Sequence, residues 1–168
     1  QSYDVFMDVV KRYDVDGIHI DDYFYPYPVK AKSGGGNEMF PDEPAWNAYQ
    51  QTGGKLSRDD WRRKNVNDLV EKIYAGTKAR KKWVKFGISP FGLCRPGQPE
   101  GTKGFDQYAT LYADTQLWLN KGWCDYWTPQ LYWKIGHATV PFEPLLKFWT
   151  EQNTQSRHLW PGLFTSRL

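Results

Sequence analysis

Short alternating runs of apolar residues along this chain are separated by longer stretches in which apolar residues recur every three or four positions. Four such runs, bounded by turns or polar clusters, predict strands over Val15–Asp22, Val84–Pro90, Asp125–Leu131 and His158–Thr165. The stretches between them predict helices. Tyr3–Tyr13 gathers Phe6, Val9, Val10 and Tyr13 on one face, and Arg58–Arg80 gathers Val66, Leu69, Val70 and Ile73. Phe105–Asn120 repeats the pattern with Tyr108, Ala109, Tyr112 and Leu119, and Phe142–Thr150 with Phe142, Leu145, Leu146 and Trp149. The second helix also has a start signal, Ser57 with Asp60 three residues on, and a basic last turn that suits the helix dipole.

Helix and strand thus alternate four times, which implies parallel strands joined by crossover helices, in an open doubly wound sheet or a (β/α) barrel. No Gly-rich phosphate loop follows a strand, which counts against a nucleotide-binding open sheet. Each strand end becomes polar and aromatic instead: Asp21-Asp22-Tyr23, Ser89-Pro90-Phe91, Gln130-Leu131-Tyr132-Trp133, Thr165-Ser166-Arg167. Chemistry spread over successive carboxyl ends favours the barrel. A complete (β/α)8 barrel takes ~250 residues, whereas this chain has 168. The expected fold class is therefore α/β, a partial TIM-type (β/α)8 barrel of about four βα units with parallel strands, the whole of 1–168 being one fragment of it. Such a half-barrel leaves two sheet edges and an inner face uncovered. The missing barrel half or another chain is expected to cover them.

Residues 24–56 break the rhythm. They hold Gly34-Gly35-Gly36, several prolines and the rings Phe24, Tyr25, Tyr27, Phe40, Trp46 and Tyr49, with little helical periodicity. A long aromatic, Gly-rich loop is expected here, packed over the strand carboxyl ends as a lid or platform with the triglycine as its flexible point. An inconsequential surface insertion is the alternative.

Composition narrows the classes further. The chain is 40% apolar and 24% charged, which excludes a disordered or fibrous polymer. No apolar run approaches the ~20 residues of a membrane span, so no integral membrane segment is expected. The formal net charge is +3, and the basic residues are scattered apart from Lys78–Lys82, so nucleic acid is not an expected partner. Cys94 and Cys124 lack metal-ligand spacing and read as free thiols. No metal and no cofactor are expected. The chain starts at Gln1 with neither an initiator Met nor a signal peptide, so processing or excision from something longer is expected. Aromatic residues reach 17%, yet mean hydropathy is −0.73. Many rings must then lie on half-wet surfaces.

The densest local signal is Asp16–Tyr23. Strand alternation puts Ile18 and Ile20 on one face and His19 and Asp21 on the other, with Asp22 where the strand leaves for the loop. Two neighbouring carboxylates at a strand's carboxyl end push their proton affinities apart, so that one can act as an acid while the other stays ionised. The bland alternative is that one caps the turn and the other binds a backbone amide. His19 has no spaced partner and reads as a wall residue or an orienter of Asp21. Ser89 lies in no nucleophile elbow and reads as a polar contact. Gln130 offers a donor and an acceptor to a hydroxyl, and Tyr132 and Trp133 a flat apolar surface for a pyranose ring, with core packing as their rival role. Tyr23 and Tyr25, at the root of the loop, join these as candidate substrate contacts. Asp125 opens its strand, at the opposite end, and is left out.

Four ordered segments, Asp16–Pro26 (DGIHIDDYFYP), Asp60–Gly92 (DWRRKNVNDLVEKIYAGTKARKKWVKFGISPFG), Cys124–Trp133 (CDYWTPQLYW) and Trp160–Leu163 (WPGL), closely resemble the bacterial family-10-like glycoside hydrolases. The resemblance implies an exported (β/α)-barrel glycosidase, periplasmic or at the cell surface. Its substrates would be bacterial cell-envelope glycans such as peptidoglycan, or exopolysaccharides, containing N-acetylated amino sugars. Asp21 and Asp22 match the family's strand-end aspartates, which makes them the candidate catalytic pair. Trp61, Arg62 and Asn65 match its Trp-Arg-Arg-x-Asn helix start, and Ser89, Phe91 and Gly92 its Ser-Pro-Phe-Gly. Where the family carries Ile-Trp-Arg, this chain has Leu93-Cys94-Arg95, keeping Arg95 as a candidate contact but losing the ring. The four strands correspond to the fourth to seventh of the barrel. An adjacent acid pair flanks a glycosidic bond poorly as separate acid and nucleophile and suits substrate-assisted hydrolysis. A non-catalytic glycan-binding module, or a fragment inert without the missing strands, is the alternative.

Overall fold

The computed structural model describes residues 1–32 and 34–167. Four strands, β1 (Gly17–Ile20), β2 (Lys85–Ile88), β3 (Tyr126–Trp127) and β4 (His158–Leu159), form one parallel sheet in the order β1-β2-β3-β4. Six helices accompany them among the described residues: α1 (Ser2–Arg12), α2 (Glu43–Gln51), α3 (Arg58–Arg80), α4 (Gln107–Thr110), α5 (Thr115–Lys121) and α6 (Phe142–Gln152). A doubly wound sheet reverses its strand order at a switch point, whereas this one runs in sequence without reversal. The helices also pack on one face only. Ile18, Phe86, Ile88 and Trp127 are buried there against Val10, Val70, Ile73, Trp118 and Trp149. Sequential parallel strands with a single helical layer make this a partial (β/α) barrel, as expected.

The opposite face is the wall of the barrel's interior. In register, His19 lies beside Gly87, Gly87 beside Tyr126 and Tyr126 beside His158, and both histidines are exposed. The Tyr126 ring lies across Gly87 so closely that a Cβ there would come within 1.9 Å of it. A glycine is required at 87 for that reason alone.

The strands are shorter than the sequence pattern predicts, and proline explains where β2, β3 and β4 stop. Pro90, Pro129 and Pro161 each sit just beyond a ladder and have no N–H to give it. The residue after each proline makes an isolated parallel bridge, Phe91 with Gln130 and Gln130 with Gly162. Three strand ends are thus re-pinned side by side one residue beyond the interruption.

Helix boundaries agree with expectation for α1, α3 and α6, but two expectations need correcting. The single helix expected over Phe105–Asn120 is two. Asp106 caps α4 through the Ala109 N–H, Asp114 caps α5 through the Leu117 N–H, and Tyr112 between them takes a left-handed φ of 55°. The second correction lies in the segment 24–56, which contains α2. This helix buries no residue, but Trp46 and Tyr49 on one side of it stack on each other and meet Trp61 of α3 at a tilt. In the same segment Lys30 and Asn37 pair in an antiparallel bridge.

The segment is fastened by charge. Arg62 donates from Nε and Nη2 to the two oxygens of Asp42, at 2.7 and 2.8 Å, and from Nη1 to the Tyr112 hydroxyl at 2.6 Å. Arg58 bridges Asp42 and Glu43. These contacts hold the Asp42 carboxyl below the usual carboxylate range, the Arg62 hydrogen bonds first among them, with burial opposing.

Candidate active site

The carboxyl end of β1 directs its two aspartates differently. Asp21 continues the interior face and is exposed. Its Oδ1 accepts the Gln130 side-chain amide at 2.8 Å and the Asp22 backbone N–H at 3.0 Å. Gln130 Nε2 also reaches the Ser89 carbonyl at 3.1 Å, so one amide ties the ends of three strands together. Asp22 turns the other way and is only 6% exposed. Its Oδ2 accepts the Tyr27 hydroxyl at 2.5 Å. Burial first, and then the Asp22 carboxylate, raise the Tyr27 hydroxyl well above the usual tyrosine range, so that it keeps its proton and donates. The pair is thus split into one open carboxylate on the sheet face and one enclosed carboxylate beneath the loop.

Tyr27 is held in turn by an aromatic series. It stacks on Phe105 at 5.2 Å, Phe105 meets Phe91 edge-on, and Phe91 meets Trp133 edge-on. Tyr23 lies edge-on to Tyr27 and is 72% exposed. Gly92 permits this arrangement, since a Cβ there would lie 2.2 Å from the Gln130 carbonyl oxygen and 2.8 Å from the Trp133 ring. Tyr132 stands exposed on the solvent side. Burial, and then the charges of Asp21 and Asp22, raise its hydroxyl, which puts it in the field of the pair.

Asp21, Asp22, Tyr23, Ser89, Phe91, Gln130, Tyr132 and Trp133 therefore meet at one end of the sheet. Three other candidates are engaged elsewhere. His19 Nδ1 lies 3.0 Å from the Tyr126 hydroxyl and the two rings stack, so Gln130 and not His19 orients Asp21. Burial lowers the His19 imidazole, opposed by the Asp21 charge. Tyr25 packs between Phe40 and Tyr112 under the Arg62 guanidinium. Arg95 lies on the Tyr108 ring beside Asp106. Asp125, at the amino end, accepts the Phe86 N–H and an ion pair from Lys78, which is a structural task. Sequence reasoning did not single out Tyr27, whose only signal was its place in the aromatic run after Asp22, or Phe105, counted there merely as part of a helix.

Clefts among the described residues include these four. One of about 640 Å³ runs beside Tyr132 and Trp133 and is walled by Ile135, His137, Phe142, Leu163 and Phe164. One of about 550 Å³ lies under the loop between Tyr25, Tyr27, Met39 and Tyr112. A third, of about 500 Å³, follows Tyr3, Asn65 and Leu69, and a fourth, of about 320 Å³, brings Asp21 and Tyr23 against α1 and α3. Among the described residues, no three His, Cys, Asp or Glu side chains gather as a metal site requires.

Residues 3–167 match the family described as Glycosyl hydrolase-like 10. The chain is 43% identical over 161 residues to glycosyl hydrolase YngK of Bacillus subtilis (strain 168), covering 92% of this chain and 30% of that protein. It is 36% identical over 152 residues to glycosyl hydrolase DigH of Escherichia coli (strain K12), covering 88% of this chain and 32% of that protein. The chain therefore spans about a third of the length of these curated relatives.

Proposed function

This chain belongs to the glycosyl hydrolase-like 10 family, and from that premise we propose that it forms the acid-bearing wall of an exported glycosidase. The substrates we propose are glycans of the bacterial cell envelope, or exopolysaccharides, that contain N-acetylated amino sugars. The observation that carries this reading is the division of labour between Asp21 and Asp22. Asp21 accepts both of its hydrogen bonds on Oδ1, and its side chain is exposed, with its charge felt at the Tyr132 hydroxyl. In its protonated form it is the group placed to give a proton to a leaving glycosidic oxygen, and the carboxylate so formed keeps its hydrogen bonds from Gln130 and the Asp22 N–H. Asp22, enclosed and hydrogen-bonded by Tyr27, is the fixed negative charge that steadies an oxocarbenium-like transition state. Adjacent residues on one strand flank a glycosidic bond poorly as separate acid and nucleophile, an arrangement that suits the substrate's own acetamide as nucleophile. Tyr132 and Trp133 offer the ring platform, and the neighbouring apolar cleft suits acetyl methyl groups and C–H faces.

Release of reducing ends from N-acetylated bacterial glycans, measured for Asp21→Asn and Asp22→Asn separately, tests the assignment. Loss of a general acid costs about 100-fold or more in turnover, so Asp21→Asn is expected to fall at least that far. Asp22→Asn is expected to fall by less. Unchanged turnover in both variants removes the pair from the mechanism. Glycan binding with no change in product mass over long incubation would identify a binding module instead.

A further inference from the structure

The end of the sheet opposite Asp21 carries a patch that glycan hydrolysis leaves unused. There α3 finishes in Arg80-Lys81-Lys82-Trp83 before β2 begins at Lys85, and α1 finishes in Lys11-Arg12-Tyr13. Lys81 joins the two, its ammonium donating to the Tyr13 carbonyl at 2.8 Å. Two cations of this end are neutralised, Arg12 by Asp8 and Lys78 by Asp125. Lys11, Arg80, Lys81, Lys82 and Lys85 take part in none of the ion pairs among the described residues. The acids beside them are Asp14 and Asp16, likewise unpaired. In this patch five unpaired cations thus face two unpaired acids.

Two large rings stand within it. Trp83 is 64% exposed and Tyr13 52%, with the Arg12 guanidinium over the Tyr13 ring. Trp83, in Lys82-Trp83-Val84-Lys85, forfeits most of its burial free energy to water. A phosphate-bearing partner satisfies both components: ammonium groups pair with phosphates while indole and phenol rings lie at the depth of lipid headgroups. Shape decides between partners of that chemistry. A polymer chain is gripped in a groove, and the four clefts described above lie away from this end. The patch is a helix end and a turn, which matches a flat surface.

We propose that the amino end of the sheet, centred on Lys81, Lys82 and Trp83, is a docking face for an anionic phospholipid bilayer surface. Docking there points the carboxyl ends of the strands, with Asp21 and Tyr132, away from the lipid. The proposal is independent of the glycosidase reading, since it uses no residue of that site.

The test is co-sedimentation of the full chain with phosphatidylglycerol-containing vesicles and with pure phosphatidylcholine vesicles. Binding is expected to the anionic vesicles only, and to be largely lost at ~0.5 M salt, where screening is short-ranged. The double variant Lys81→Glu/Lys82→Glu is expected to weaken it at least about tenfold, given the worth of each cation near an anionic surface. Trp83→Ala is expected to weaken it several-fold. These side chains lie at the surface, and unchanged circular dichroism would confirm folding. No sedimentation at low salt, or binding indifferent to the substitutions, overturns the proposal. So does capture by soluble polyphosphate that competes fully and does not depend on Trp83, which would make the patch a polyanion site.

Discussion

Replacing Arg62 by leucine probes the contact that fastens the segment 24–56 to α3. Arg62 is 5% exposed and makes three hydrogen bonds of 2.6–2.8 Å, two to Asp42 and one to Tyr112. Breaking a buried ion pair costs about 3–5 kcal/mol. Arg58 still pairs with Asp42 after the change, and leucine recovers some apolar contact, so the low end applies, about 3 kcal/mol. For a chain of this size that is a fall in Tm of roughly 6–12 °C. Urea unfolding followed by tryptophan fluorescence measures the loss, and a cycle with Asp42→Ala isolates the pairwise part, expected at about 2 kcal/mol. The pH dependence fixes the cause. Asp42 has its carboxyl depressed in the folded state, so its contribution is present in full above its unfolded pKa of about 3.9 and is lost as pH falls through the folded value. The gap between wild type and Arg62→Leu is therefore expected to stay constant down to about pH 5 and to narrow below about pH 4. A loss under ~1 kcal/mol, or a gap that does not narrow in acid, would refute the buried clamp.

Two further outcomes rest on the packing. Gly92→Ala drives a Cβ against the Gln130 carbonyl oxygen, which is backbone and cannot swing aside. A cost of about 2 kcal/mol or more is expected in urea unfolding, together with reduced glycan turnover because Gln130 no longer holds Asp21. Burial pushes the Cys94 thiol up to about 11 and the Cys124 thiol up to about 12. Neither is expected to react with a thiol reagent at neutral pH until the chain unfolds, and rapid labelling of the native protein would contradict that.

What the sequence disclosed and what it concealed divide along physical lines. Strand alternation alone put Ile18 and Asp21 on opposite faces of the strand, because a period of two admits only two sides. The meeting of Asp21 and Gln130 follows once the strands are taken as parallel and sequential, since both lie at carboxyl ends. Nothing comparable announces Tyr27 as the partner of Asp22, because a five-residue reach inside a proline-broken run obeys no period. The α2 helix is short, and only Trp46 and Tyr49 mark its face, so its signal drowned among the other rings of the segment. The break between α4 and α5 lies in the capping preference of Asp114, which apolar periodicity ignores. Arg62 was visible as part of a helix start, but its work is done across twenty residues of chain, on Asp42.

The prolines beyond the strands have a consequence for how such a site can change. Pro90, Pro129 and Pro161 stop the ladder, and the bridges at Phe91, Gln130 and Gly162 re-anchor the chain before each loop departs. The loops therefore start from fixed posts that owe little to the length or composition of the loops themselves. A loop lengthened, shortened or exchanged after Phe91 or Gln130 alters the rim without sending a register shift back into the sheet. For an engineer, each post is a graft point; for a lineage, it lets specificity drift one loop at a time while the wall beneath keeps its alignment.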